Sequence, residues 1–275
     1  MEERELSELA ERVEADYMAA MFELAPPSVQ DALGMEYLRL GGGVATAMTN
    51  DPTGAFWSRA VGLGWQQPIT DEVVDQVCAL NARHQVHQVW FQVSPLAPGE
   101  WESVLEAHGF VPGRTWVKFI RDTSPPAEVY TRLDVRELGH ADADEYARVY
   151  WQGFGVQSEL FEAWVRAQVG RPALRTFGAF EGDVMVGCAA LYLDGEMGGL
   201  MGAATLPEHR GKGAQSALMA ARLRAAARSG CRWVSTETGS ETPDDPNPSL
   251  HNMRRMGFVE MYERRNWIAE LALAP

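Results

Sequence analysis

Leu206-Pro-Glu-His-Arg210-Gly-Lys-Gly213-Ala-Gln-Ser-Ala-Leu218 is the stretch on which the reading of this chain turns. A run of small apolar residues precedes it, ending at Thr205-Leu206, with the character of a strand that Pro207 closes. An alanine- and leucine-rich run follows it to Ser229, with the character of a helix. Gly211 and Gly213 let the backbone between them turn sharply, so that successive N–H groups point into one concavity. The first amides of the helix have no partner within it and sit at the positive end of its dipole. Arg210 and Lys212 add charge at the rim. A strand, a basic glycine loop and a helix in this order suit a pyrophosphate. The GxxxxGK[ST] spacing of a P-loop is absent.

Working outward, RTFGAFEGD, VMVGCAALYLDG and GGLMGAATL read as strands split by turns at Glu181-Gly182-Asp183 and Asp194-Gly195. Helices are expected over Ala141–Tyr150 and Ser158–Gln168. After the loop helix come a strand over Arg232–Thr238, a helix over Ser249–Met256, the pair Gly257-Phe258 and a strand in RRNWIAELA (264–272). The first half closes in the same way. A helix over Gly99–His108 leads to Gly109-Phe110 and the strand RTWVKFI, and Trp57–Leu63, Asp71–His84 and Gln88–Val93 read as strand, helix and strand before it. Glycine there ends each helix in a left-handed turn, and phenylalanine is the first inward residue of the next strand. The pattern reads as an internal duplication: two α/β (mixed α+β) domains in tandem, at residues 1–124 and 133–275, joined by a connector at 125–132 in which Pro125 and Pro126 forbid a helix.

The loop and its surroundings resemble the acyl-CoA-binding motif of the GNAT superfamily of N-acyltransferases, Q/R-x-x-G-x-G/A. Arg210 takes the first position and Gly213 the central one, while Gln215 departs from the final Gly/Ala. Asn247-Pro-Ser249-Leu-His-Asn252-Met-Arg-Arg-Met-Gly257-Phe258 is similar to that family's helix after its fifth strand, although Ser249 is also a natural N-cap. The resemblance covers about residues 133–275. It implies two GNAT-like domains, each a mixed and mostly antiparallel sheet flanked by helices. It also implies acetyl-CoA as co-substrate, held by Thr205, Leu206, Arg210, Gly211, Lys212, Gly213, Ala214, Gln215, Asn247 and Asn252. Direct transfer to a primary amine of a small molecule or peptide follows from it. A backbone N–H near Thr205 or Leu206 would polarise the thioester. The family's tyrosine acid falls on Met253, so solvent is left to protonate the thiolate. Over residues 1–124 the corresponding loop, Gly62 to Thr70, has no Arg or Lys and places Pro68 where donors are needed, which reads as a degenerate copy.

Glu237, at the end of its strand, is the candidate base, with Glu196 second and Tyr192 and Tyr262 as further options. A non-catalytic acyl-CoA-sensing module and a transferase of another acyl group stay open beside the acetyltransferase reading. His84-Gln-Val-His87 has no further Cys or His cluster to complete a metal site, so no metal is expected. Gly41-Gly42-Gly43 reads as a turn, the tryptophans as core, and Arg222, Arg224 and Arg228 as the basic outer face of an amphipathic helix.

Composition bounds the rest. At 275 residues, 46% hydrophobic and 23% charged, the chain has material for one or two globular domains. Its net charge of −14, of which residues 1–125 carry −10, disfavours nucleic acid as a partner. The uncharged apolar run Val186–Leu193 is short of a membrane span, and the acidic N-terminal MEERELSELAERVE is not that of a signal peptide. Three cysteines, Cys78, Cys188 and Cys231, fit reduced thiols and a cytoplasmic location. The acceptor is expected to be a small-molecule amine. A homodimer is compatible with the chain.

Overall fold

The computed structural model describes residues 2–272. In chain order the elements are α1 (Glu3–Leu24), α2 (Pro27–Leu33), β1 (Met35–Leu40), β2 (Gly43–Met48), β3 (Arg59–Val61), α3 (Asp71–Arg83), β4 (Gln88–Gln92), α4 (Trp101–Ala107) and β5 (Val111–Asp122). They continue as β6 (Asp134–Glu137), α5 (Ala143–Gly153), α6 (Glu159–Arg166), β7 (Leu174–Glu181), β8 (Val184–Asp194), β9 (Met197–Thr205), α7 (Ala214–Arg228), β10 (Trp233–Gly239), α8 (Pro248–Arg255) and β11 (Val259–Glu270). The turns expected at 181–183 and 194–195 join β7 to β8 and β8 to β9, and Gly41-Gly42 turns β1 into β2 with both φ angles positive. Residues 123–133 carry no regular element.

The duplicated endings are matched bond for bond. Gly109 (φ +78°) and Gly257 (φ +81°) are left-handed. Phe110 N–H donates to Leu105 O at 3.0 Å and Phe258 N–H to Met253 O at 3.1 Å, the long bond of a Schellman motif in each case. Both phenylalanines are buried. Each half also has a parallel strand–helix–strand unit paired over three residues: Arg59–Val61 against Trp90–Gln92, and Met197–Gly199 against Trp233–Ser235.

The chain forms two compact units, and their boundaries differ from the sequence reading. The first holds the residues up to Val117 together with the chain from Tyr262 on; the second holds Lys118–Met261. The strand that closes the second half of the sequence thus belongs to the first unit, and the end of β5 belongs to the second. The hydrophobic patterns of β5 and β11 specify which faces are buried and are silent on which neighbour each strand takes.

In the first unit the strands run β1-β2-β3-β4-β11-β5, with β11 antiparallel to β4 from Asn266 opposite Gln92 to Glu270 opposite Gln88. Residues before Trp57, for which the sequence reading offers only the glycine turn, supply α1, α2, β1 and β2. α3 and α4 cover one face, where Val74, Leu80, Phe91, Leu105 and Trp267 are buried and the Trp101 and Trp267 rings meet edge to face at 6.0 Å. α1 presents a second kind of face. Beside Val13, Met18 and Met21 it buries Glu11 and Glu14, both paired to a fully buried Arg264 on β11 at 2.6 and 2.9 Å. Tyr262 donates to Glu11 at 2.7 Å; burial, then the Glu11 charge, raises its pKa well above the usual tyrosine value. The expected core tryptophans divide: Trp57 and Trp101 are buried, and Trp65, Trp90 and Trp116 are half-buried.

In the second unit the order is β5-β10-β9-β8-β7-β6. β6 to β9 form an antiparallel meander, α7 packs on β7 to β9, and α5 packs on β8 and β9. Among the described residues no helix is long and apolar enough to cross a membrane.

The buried cluster of the first unit carries a prediction. Arg264→Met removes the guanidinium from two buried carboxylates and is expected to cost about 3–5 kcal/mol in urea denaturation. Adding Glu11→Gln and Glu14→Gln should restore most of that loss; a single-variant cost below about 1 kcal/mol would show that the cluster contributes little.

Candidate functional site

The site begins where β9 loses its regularity. Opposite β8 the register slips between Ala189 and Ala190, leaving Gly202 as an extra residue with φ +34°. The Tyr150 ring of α5 lies over it: a side chain at 202 would meet Tyr150 Oη at 2.3 Å. On its other edge β9 keeps its ladder with β10 only to Gly199 opposite Ser235, and the Thr236 hydroxyl, donating to Leu200 O at 3.1 Å, follows as a last link. Both strands run on, to Thr205 and Gly239.

Beneath the bulge lies Arg222 of α7. It is buried, not on the outer face with Arg224 and Arg228, and it donates to Ala190 O at 3.0 Å and Met201 O at 3.3 Å. The correction has a physical reason: the slip in register leaves carbonyls that need a donor, and the alanine-rich face of α7 leaves room for a guanidinium. Burial lowers its pKa to about 10.

Thr205, Leu206, Arg210, Gly211, Lys212, Gly213, Ala214 and Gln215 fall together in the turn from β9 into α7. Gly211 (φ +77°) and Gly213 (φ +85°) are left-handed, and Gly213 is the N-cap of α7. Arg210 folds back, donating to Gly153 O at 2.9 Å and Thr205 O at 3.3 Å, so it braces the loop. Lys212 reaches Glu181 of the β7–β8 turn at 2.8 Å, and His209 meets the same carboxylate at 2.8 Å. The Lys212 hydrogen bond, with His209 behind it, holds the Glu181 carboxyl below the usual carboxylate range. The Leu206 N–H is already given to Val186 O at 3.0 Å, which removes it as a polarising donor.

Asn247 and Asn252 lie beside this loop and are engaged by protein groups. Asn247 caps α8, accepting from Ser249 N–H at 3.0 Å while its amide donates to Thr238 Oγ1 at 2.9 Å and Gly239 O at 2.6 Å. Gln215 donates to Ser249 Oγ at 3.0 Å and accepts from Asn252. The departure at Gln215 therefore ties the start of α7 to α8.

Glu237 lies on β10 just past the last ladder pair, and Lys118 of β5 meets it at 3.1 Å, with side-chain exposures of 14% and 3%. Glu196 is a half-buried turn residue 3.3 Å from Arg232. Tyr262 belongs to the first unit. Tyr192 is half-buried on β8, and Met253, in the position of the expected tyrosine, is buried. Sequence reasoning missed Lys118, Glu181, Gly153 and Thr131. They come from distant segments, and apart from Glu181 in its hairpin turn none lies in a motif of its own.

The corresponding loop of the first unit is filled. A side chain at Gly62 would meet Ala15 Cβ at 2.8 Å, and one at Gly64 would meet Ala97 Cβ at 3.1 Å. Of the histidine pair, His84 bonds Glu36 at 2.6 Å, and among the described residues no group of His, Cys, Asp and Glu gathers to hold a metal.

Residues 139–258 match the model of the Acetyltransferase (GNAT) family. Over that stretch, somewhat less than half of its length, the chain is similar to a GNAT acetyltransferase domain. A comparison with curated proteins gave no significant match. Among solved structures, a tandem GNAT protein from the clavulanic acid biosynthesis pathway is 17% identical, with a TM-score of 0.58 over 96% of this chain and 98% of its own. A GCN5-related N-acetyltransferase from Kribbella flavida is 14% identical, with a TM-score of 0.61 over 89% of this chain and 94% of its own. Another, from Sphaerobacter thermophilus, is 16% identical, with a TM-score of 0.57 over 73% of this chain and 65% of its own. At these identities the likeness is one of fold. It supports the tandem arrangement, including the half that the family model does not reach.

The loop geometry predicts an order of sensitivity. Gly213→Val places a branched side chain at a positive φ and 3.3 Å from Thr131 Cβ, whereas at Gly211 a Cβ meets nothing within 4 Å. Gly211→Ala should lose only the backbone preference, about 1–2 kcal/mol by thermal denaturation. Gly213→Val should lose more; an equal or smaller loss would contradict the close approach of Thr131.

Proposed function

We propose that the second unit transfers an acetyl group from acetyl-CoA to the primary amine of a small molecule, with one working coenzyme site per chain. The observation that carries this reading is the pair of left-handed glycines at the N-terminus of the 15-residue helix α7, where the β9–β10 ladder has ended. Such a turn presents backbone N–H groups and the helix dipole to a pyrophosphate. Gly211, Lys212, Gly213, Ala214 and Gln215 would supply these amides. Lys212 would exchange its Glu181 partner for phosphate oxygen, while Arg210 holds the loop in shape. Bound acetyl-CoA supplies an activated thioester carbonyl. Thr205 and the other residues of β9 past Leu200 lie beyond the last ladder pair with β10, where the pantetheine arm would run.

Glu237 serves in this reading as the base. The acceptor enters as an ammonium and must lose a proton before its nitrogen can attack the thioester carbon. Glu237 takes that proton; the new C–N bond forms as the C–S bond breaks, the nitrogen gives up its second proton to solvent, and the sulfur leaves as a thiolate that solvent protonates. Lys118 keeps the carboxylate in place and offsets its charge. The same ion pair, with Met253 where the acid is expected, favours a second reading: a module that binds acyl-CoA without turnover. The free thiols at Cys78, Cys188 and Cys231 support the cytoplasmic placement, and burial pushes the Cys78 thiol up to about 11.

Calorimetric titration of acetyl-CoA into the full chain is expected to give one site. Two sites would show that the Gly62–Thr70 loop also binds, and no binding at millimolar ligand would overturn the coenzyme reading. Arg210→Glu with Gly213→Asp should abolish binding and leave the circular dichroism unchanged. Glu237→Gln should lower kcat by about 10²-fold or more and leave acetyl-CoA affinity intact. Binding without acceptor-saturable thiol release, across a panel of amines, would favour the sensing module. A panel of acyl-CoA donors would identify any other acyl group.

A further inference from the structure

The connector ahead of β6 is fastened to the coenzyme loop. The Thr131 hydroxyl donates to Lys212 O at 2.7 Å and accepts from Leu133 N–H at 3.2 Å. Gly213 lies against this segment: a Cβ there would come 3.3 Å from Thr131 Cβ and 3.8 Å from Tyr130 O. The Tyr130 backbone therefore lies beside the N-terminus of α7, yet the residue is 86% exposed and its hydroxyl donates to Glu128 at 2.9 Å. An aromatic ring left almost wholly in water, on a segment pinned one residue away, is a flat apolar face without a protein partner to cover it. Phe154, exposed on the Arg210 side of the loop, differs in that its ring packs against Tyr150 at 5.2 Å.

We infer that Tyr130 is the platform on which the adenine ring of the coenzyme stacks, so that the connector is part of the coenzyme site. The inference rests on the acetyl-CoA reading above. A pyrophosphate held by the amides of the Gly211–Gly213 turn has the pantetheine arm on one side and the adenosine on the other. The arm is directed along β9, past its last ladder pair. The adenosine then leaves by the outer rim, where Tyr130 stands. A purine offers the planar π-face that an exposed tyrosine accepts, and stacking asks for no particular hydrogen-bond pattern. The Thr131 bond to the loop carbonyl fixes the distance between platform and turn.

The test is the affinity of the full chain for coenzyme A, read by calorimetry without turnover, in wild type and four variants. Tyr130→Ala and Tyr130→Leu should each raise Kd about tenfold, while Tyr130→Phe and Tyr130→Trp keep it within about twofold. Because the ring is exposed, none should change the melting temperature. An unchanged Kd for Tyr130→Ala would overturn the inference, as would a loss that Tyr130→Trp fails to restore. If the wild-type chain binds no coenzyme A, the coenzyme reading itself fails and takes this inference with it; wild-type binding with an indifferent Tyr130 removes the platform alone.

Discussion

Arg264 lies fully buried between Glu11 and Glu14, and the first unit is organised around that placement. A guanidinium taken out of water costs several kcal/mol unless its geometry is good and its donors are used, and here two carboxylates of one helix face meet it. The pairing sets which face of α1 turns inward and which strand lies beneath it. β11 can take its place next to β4 only with Arg264 pointing at α1, and that orientation turns its neighbour Trp267 toward the core under α3 and α4. A slip of one residue in β11 would bring the tryptophan to the charged face and the arginine to the apolar one. Hydrophobic burial supplies most of the driving force, and the ion cluster makes one register much better than the others.

The two halves show how one architecture packs the same turn in two ways. Both have a parallel strand–helix–strand unit paired over three residues, and both end in glycine and phenylalanine with the same hydrogen bonds. They differ in the turn from strand into helix. In the first unit Ala15, Ile69 and Ala97 pack against Gly62 and Gly64, so that glycine there serves close packing. In the second unit Gly211 faces open space, and its backbone is at liberty to meet a ligand. The same residue type in the same place therefore has two meanings, set by what lies across from it.

Much of this was legible in the sequence because it is local. The glycine terminators, the hairpins after Glu181 and Asp194, the proline connector and the turn at 210–213 each depend on residues within one turn of one another. What could not be read depends on partners far along the chain. Arg222 has the helical phase of the buried Leu218 and Ala226, but its charge reads as outward, and the slip at Gly202 supplies the carbonyls that receive it inside. Glu237 looks like a lone strand-end carboxylate until Lys118 arrives from the other half of the sequence. α1 was missed because its inward face carries glutamates, which a search for apolar periodicity passes over. Asn247 carries the family's motif position in the sequence, and its further part as the cap of α8 shows only in the structure.

The place of β11 has a further consequence for how the protein is made. Synthesis proceeds from the N-terminus, so α1 leaves the ribosome with Glu11 and Glu14 long before Arg264 exists. Through the whole synthesis of the second half, that helix face waits with two carboxylates and no guanidinium to receive it. The half that is translated first is thus the half that is completed last. The ion cluster of the first unit can therefore close only after β11 has been made.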